Sequence, residues 1–221
     1  MHWHALQSDA PLQRHQLVRL KSASWSELLH MRSDLAGEAL LPGWADRGWP
    51  LIARRPLPGE VGGYALGLPL PPSAGKRRIA INVRYEDVDA VSSLPHLLET
   101  IASAPAAWES SMHRLAALAE RHAIEARVFG SLAWQWLTGL TYLSPSSDLD
   151  VIWTLPRRER IATFLAELAD IETQAPMRLD GELIRADGSG VNWRELHAGS
   201  KDLALKTPVD VQLCSYEAFV A

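Results

Sequence analysis

Cysteine is nearly absent: Cys214 is the only one in 221 residues. That excludes an intrachain disulfide and any zinc site built from several cysteines, and a reducing cytoplasm is the expected home. A basic excess is missing too, because 22 Lys and Arg stand against 26 Asp and Glu for a formal charge of −4. Wholesale wrapping of nucleic acid is excluded, so a polyanionic partner must be met by a local basic pocket. No continuous apolar run exists. The longest uncharged stretch, Val128 to Ser147, reaches membrane-spanning length but is broken by Gly130, Gln135, Gly139, Pro145 and four serines, and reads as a buried active-site segment. Met1 to His15 holds no apolar core of a secretory signal. The eight histidines fall in no zinc-binding spacing, and no structural metal is expected from them.

What is present fits a globular chain, with 47% hydrophobic and 22% charged residues, enough to bury a core. From Gly37 to Gly75 there are eight glycines and seven prolines, which forbids a long helix and predicts short strands joined by turns. Strands are expected at Gln16–Leu20, Leu51–Arg55, Tyr64–Leu68 and Ile79–Val83, with a helix at Ser24–Met31 capped by Ser24 or Ser26. Pro105 precedes a helical spacing from Trp108 to His122, placing a boundary between domains 1–105 and 106–221. The second half alternates: strand Glu125–Phe129, helix Ser131–Leu140, strand Leu149–Thr154, and helix Arg157–Glu172 with Pro156 suited to its first turn. A hairpin over Arg178–Arg185 and Val191–Leu196 and a last strand at Val209–Leu213 follow. This alternation predicts an α+β or α/β fold with a mixed-sheet core behind a smaller, loop-rich, β-containing N-terminal domain.

Asp148 and Asp150 flank Leu149 at the head of an otherwise apolar strand. Residues two apart on a strand face the same side, so both carboxylates converge on one point and need a cation. Magnesium commonly binds through one or two carboxylates together with substrate phosphates, so the spacing suggests metal-assisted phosphoryl or nucleotidyl transfer. Upstream, Val128-Phe129-Gly130-Ser131 reads as a strand ending in a turn that opens a helix. Gly130 lets a ligand approach the backbone, while Ser131 and the first free amides of the helix offer donors to phosphate oxygens.

Strand, Gly-Ser, helix, then Asp-x-Asp on the next strand resembles the nucleotidyltransferase core of the DNA polymerase beta superfamily. A closer resemblance covers nearly the whole chain. The stretches RHQLVRL (14–20), LGLPLPPSAGKRRIAI (66–81), VFGSLAWQWLTGLTYL (128–143), SDLD (147–150), RLDGEL (178–183) and NWREL (192–196) resemble the malonate decarboxylase holo-acyl-carrier-protein synthases, the phosphoribosyl-dephospho-CoA transferases. The resemblance implies transfer of a phosphoribosyl-dephospho-CoA group from triphosphoribosyl-dephospho-CoA to a serine of the apo acyl-carrier subunit of malonate decarboxylase, with release of pyrophosphate. It assigns the catalytic pair to Asp148 and Asp150. Superfamily members usually add a third carboxylate; Asp180, inside RLDGEL and sharing a face with Glu182, is favoured over Asp210 as a catalytic and metal residue.

Lys76, Arg77 and Arg78, together with Arg54 and Arg55, form two basic clusters suited to phosphate, as does Lys206 singly. Solvated faces explain most such runs. Trp134, Trp136 and Trp153 lie near the proposed site in sequence and are expected to pack in the core rather than stack on adenine. Two other functions stay open: a generic nucleotidyltransferase that moves AMP to a protein or small molecule, and a non-catalytic nucleotide-binding module. Neither nucleic acid nor membrane is an expected partner.

Overall fold

The computed structural model describes residues 1–6 and 10–221. The chain forms two compact units, Met1–Leu94 with Leu137–Thr141, and Pro95–Trp136 with Tyr142–Ala221. The architecture is α+β, with one sheet in each unit.

In the first unit, β1 (Leu17–Leu20), β2 (Leu51–Ala53), β3 (Tyr64–Pro69), β4 (Arg78–Val83) and β5 (Val88–Ser92) form an antiparallel sheet of order β4-β3-β2-β1-β5, and α1 (Ser22–Met31) follows β1 in the chain. Burial alternates strictly along β3 and β4, so each strand sends one face to the core. The segment rich in glycine and proline wraps around buried tryptophans: Trp25 Nε1 donates to the Leu41 carbonyl at 2.8 Å and Trp44 Nε1 to that of Pro50 at 3.1 Å. A buried indole N–H left unbonded costs on the order of 1–3 kcal/mol, which these loop carbonyls remove. Two expectations change here. α1 starts at Ser22 with Lys21 as N-cap and no side-chain cap, because the Lys21 amide is tied to the Asp87 carbonyl and sets where the chain leaves the sheet. β5, whose half-exposed pattern gives little signal, was not expected.

The second unit contains α2 (Glu109–Arg121), β6 (Ala126–Val128), α3 (Gly130–Thr138) except its last two residues, β7 (Leu149–Thr154), α4 (Ile161–Thr173), β8 (Leu179–Ile184), β9 (Gly190–Asn192), α5 (Trp193–His197), β10 (Leu203–Lys206), β11 (Val211–Cys214) and α6 (Tyr216–Val220). The sheet order is β11-β10-β9-β8-β7-β6. Among the described residues β7 and β8 make its one parallel pairing, linked through α4 as a parallel pair requires. The sheet is therefore mixed, as expected for this core. Leu149, Val151, Trp153, Leu179, Leu183 and Val191 point to one core with Met112, Leu115 and Leu118 of α2 and Ile161, Phe164, Leu165 and Leu168 of α4. α3 ends at Gly139, whose φ of +72° suits the residue after a helix.

Three boundaries depart from the sequence pattern. A 3₁₀ turn at Arg158–Arg160 precedes α4, and Pro156 stays outside the helix because the Leu155 amide still bonds the Ile184 carbonyl at 2.8 Å. The hairpin's second arm ends at Asn192, where the side chain caps α5 by accepting the Arg194 amide, and a helix replaces the expected strand. The last strand begins at Val211 because Thr207 and Asp210 close a turn, and β10 precedes it as an unexpected strand. No helix among the described residues is long and apolar enough to cross a membrane.

Candidate active site

β7 is anchored by Leu149, Val151 and Trp153, all fully buried, so Asp150 and Ile152 turn to the opposite face of the sheet. Asp148 immediately precedes the strand, two residues from Asp150, and is one-third exposed. The parallel register then sets Asp150 beside Asp180 and Ile152 beside Glu182, while β9 sets Asn192 beside Glu182. Paired residues share a face, so Asp150, Asp180, Glu182 and Asn192 stand on one open surface of the sheet.

Each of these side chains has a named neighbour. Arg178 lies 3.6 Å from Asp148 in an ion pair. Asp180 Oδ1 accepts from the Gly181 amide at 2.8 Å and from Asn192 Nδ2 at 2.9 Å. Glu182, only 5% exposed, accepts from Lys206 Nζ at 2.7 Å. Behind this face Glu172 bonds Arg194 and the Leu179 amide. Burial pushes the Glu172 carboxyl up, but the Arg194 and Leu179 hydrogen bonds outweigh it and leave its pKa below the ordinary carboxylate value.

The Gly-Ser corner meets the carboxylates directly. β6 pairs with β7 so that Val128 faces Val151, and the Phe129 amide donates to the Asp150 carbonyl at 3.0 Å. Gly130 follows with φ of +63°. A β-carbon there would lie 1.8 Å from Asp150 Oδ2 and 2.6 Å from its Cγ. Asp150 therefore rests against the bare α-carbon of Gly130, and no other residue type leaves room for it. Ser131 is half-buried in the first turn of α3.

Gly130, Ser131, Asp148, Asp150, Asp180 and Lys206 all belong to the second unit, whereas Lys76, Arg77 and Arg78 belong to the first. There Arg77 is ion-paired with Glu38, Arg54 with Glu60 at 2.6 Å, and Lys76 and Arg78 are exposed. Asp210 sits outside the strand expected to carry it; its oxygens bond Thr207 and Gln212 in the turn before β11. Trp134 and Trp153 are buried in the core and Trp136 is half-buried. Cys214 is half-buried, and burial raises its pKa. Among the described residues no three His, Cys, Asp or Glu side chains stand together closely enough to hold a metal ion. The donor chemistry of Asp148 and Asp150 nevertheless suits a hard cation that takes two carboxylates and completes its shell with phosphate and water.

Residues 13–93 match the N-terminal domain of phosphoribosyl-dephospho-CoA transferase MdcG, and residues 96–217 match its C-terminal domain. The chain belongs to the phosphoribosyl-dephospho-CoA transferase family. A phosphoribosyl-dephospho-CoA transferase of Bradyrhizobium diazoefficiens is 49% identical over 213 residues, 96% of this chain and 94% of that protein. One of Xanthomonas campestris pv. campestris is 36% identical over 187 residues, covering 81% and 88%. No solved structure matches the chain. The acidic face and the Gly130 corner fall within the segment that matches the C-terminal domain of this transferase family.

Asn192, Arg178 and the use of Glu182 to hold Lys206 were not singled out from the sequence. Only the presence of Asn192 and Arg178 inside conspicuous motifs pointed toward them. Their roles depend on which strands lie side by side.

Proposed function

We propose that this chain transfers a phosphoribosyl-dephospho-CoA group from triphosphoribosyl-dephospho-CoA to a serine of the apo acyl-carrier subunit of malonate decarboxylase, with pyrophosphate as the other product. The observation that carries this reading is the seat of Asp150 against Gly130, in register with Asp180, within a chain of the phosphoribosyl-dephospho-CoA transferase family. The same arrangement supports a nucleotidyltransferase core of the polymerase beta type.

In this reading the serine Oγ attacks the α-phosphorus, a new oxygen–phosphorus bond forms, the bond to pyrophosphate breaks, and the hydroxyl proton passes to a base. Asp148 and Asp150, with Asp180 as third candidate, would hold magnesium, which supplies charge neutralisation on the triphosphate. Gly130 leaves room for the Asp150 carboxylate at the corner, and the Ser131 hydroxyl and the first amides of α3 are the donors this reading assigns to phosphate oxygens. Lys206 offers an ammonium group from the adjoining strand, steadied by Glu182. The hydroxyl proton must leave to an oxygen on this face, and Asp148, Asp150 and Asp180 carry the candidates. Lys76, Arg77 and Arg78 give the N-terminal domain a role in holding anionic substrate or carrier protein.

Intact-mass measurement of the apo carrier subunit tests this. Incubation with the triphosphoribosyl precursor and magnesium should add one phosphoribosyl-dephospho-CoA group, and omission of magnesium should prevent it. An AMP-sized gain from ATP in place of that product favours the generic nucleotidyltransferase, and no gain with either substrate favours a binding module.

A further inference from the structure

Asn192 stands where the acidic face meets the helices behind it, and its side chain is bonded at both ends. Nδ2 donates to Asp180 Oδ1 at 2.9 Å, and Oδ1 accepts the Arg194 amide at 2.9 Å. Rotating the amide by a half-turn would set a nitrogen donor against the Arg194 N–H and an oxygen against the carboxylate, so one orientation alone satisfies both. The support behind it is equally fixed. Arg194 donates to Glu172 at 2.7 Å and to the Leu179 carbonyl at 2.7 Å, and Glu172 accepts the Leu179 amide at 3.0 Å. α4, α5 and the head of β8 are thus joined through side chains that end at the Asp180 carboxylate.

From this geometry we infer that Asn192 is a positioning residue: it holds Asp180 in one rotamer with Oδ1 committed, leaving Oδ2 as the oxygen that acts. The inference deepens the proposed function and rests on the part of it that makes Asp180 a working carboxylate. Partners that orient an acting carboxylate commonly change activity by about 10–100-fold when removed.

The substitution Asn192→Ser separates this role from capping. Serine caps a helix about as well as asparagine but is too short to reach Asp180. The expected result is a kcat lowered about tenfold or more with KM for the triphosphate within about twofold of wild type. Combined with Asp180→Ala, Asn192→Ser should lower kcat no further than Asp180→Ala alone. In amide NMR spectra of the protein without substrate, the Asn192 side-chain NH₂ pair should shift in Asp180→Ala. Wild-type kcat in Asn192→Ser beside an impaired Asp180→Ala overturns this inference alone. So do losses that multiply in full in the double variant, or an Asn192 NH₂ pair indifferent to Asp180→Ala. Wild-type kcat in Asp180→Ala overturns the inference together with the assignment of Asp180. The NMR comparison leaves Asn192 unchanged, so it decides the matter even if its variants fail to fold.

Discussion

The two units answer the same problem, a sheet with one buried face, in different ways. The first uses antiparallel neighbours throughout, and several of its arginines are spent on local carboxylates: Arg54 on Glu60, Arg77 on Glu38 and Arg84 on Asp87. The second inserts one parallel pair, and that pair carries Asp150 and Asp180, about thirty residues apart, to adjacent positions on an open face. Hairpins join what is already close in sequence. A crossover brings together groups that local structure keeps apart, and here it sets Asp150 beside Asp180 and Ile152 beside Glu182.

The sharpest way to break the contrast is to neutralise the second unit's face. Asp150→Asn should lower transfer by about three orders of magnitude or more, a loss of several kcal/mol of transition-state stabilisation, while circular dichroism shows a folded protein. Full activity by intact-mass assay would remove Asp150 from the mechanism.

A smaller effect compares glycines across the units. Gly130→Ala sets a β-carbon against Asp150 Oδ2 at a positive φ, and Gly75→Ala has the same kind of φ with nothing nearer than 3.8 Å. Both should lose roughly 1–2 kcal/mol from the left-handed backbone, but Gly130→Ala should lose more, and only it should impair transfer. Thermal melts and rates of the pair measured together decide this, and equal rates would argue against the corner.

Acid stability should separate the units next. Glu172 titrates below its ordinary value of 4.5 in the folded chain, so its clamp on Arg194 contributes stability above that pH and loses it as pH falls through the folded value. Glu172→Gln should lower stability at pH 7 by roughly 1–3 kcal/mol, with the gap to wild type closing in urea titrations as pH falls below 4.5 and through the lower folded value. A gap unchanged with pH would refute the ion-pair account.

The smallest effect is expected at the half-buried Arg54–Glu60 pair of the first unit. Arg54 and the Leu57 amide hold Glu60 down to about 2, and both side chains keep about a fifth of their surface in contact with solvent. Glu60→Gln should change the melting temperature by a few degrees at most and leave transfer intact, as ion pairs that solvent still reaches contribute about 0–1 kcal/mol.

Much of this arrangement was legible in the chain. β7 runs over Leu149–Thr154 as its apolar pattern predicts, and Ile161, Phe164, Leu165, Leu168 and Ile171 are all buried on α4. Gly130 was readable because a turn before a helix has a residue preference. Asn192 was not, since an asparagine in a strand and one that caps a helix look alike until the next turn's amide is seen bonded to it. The short β5 and β10 escaped notice because four or five partly exposed residues carry little periodicity.

Periodicity and residue type were enough to place Asp150 on the side of β7 opposite Leu149, Val151 and Trp153, because the pleat alternates with a period of two whatever surrounds it. They also established the glycine corner and the scarcity of cysteine chemistry. Which distant carboxylate joins Asp150, what grips it, and which lysine stands near were decided by strand order and register, which arise from competition among whole faces for one core. No local pattern along the chain encodes that competition.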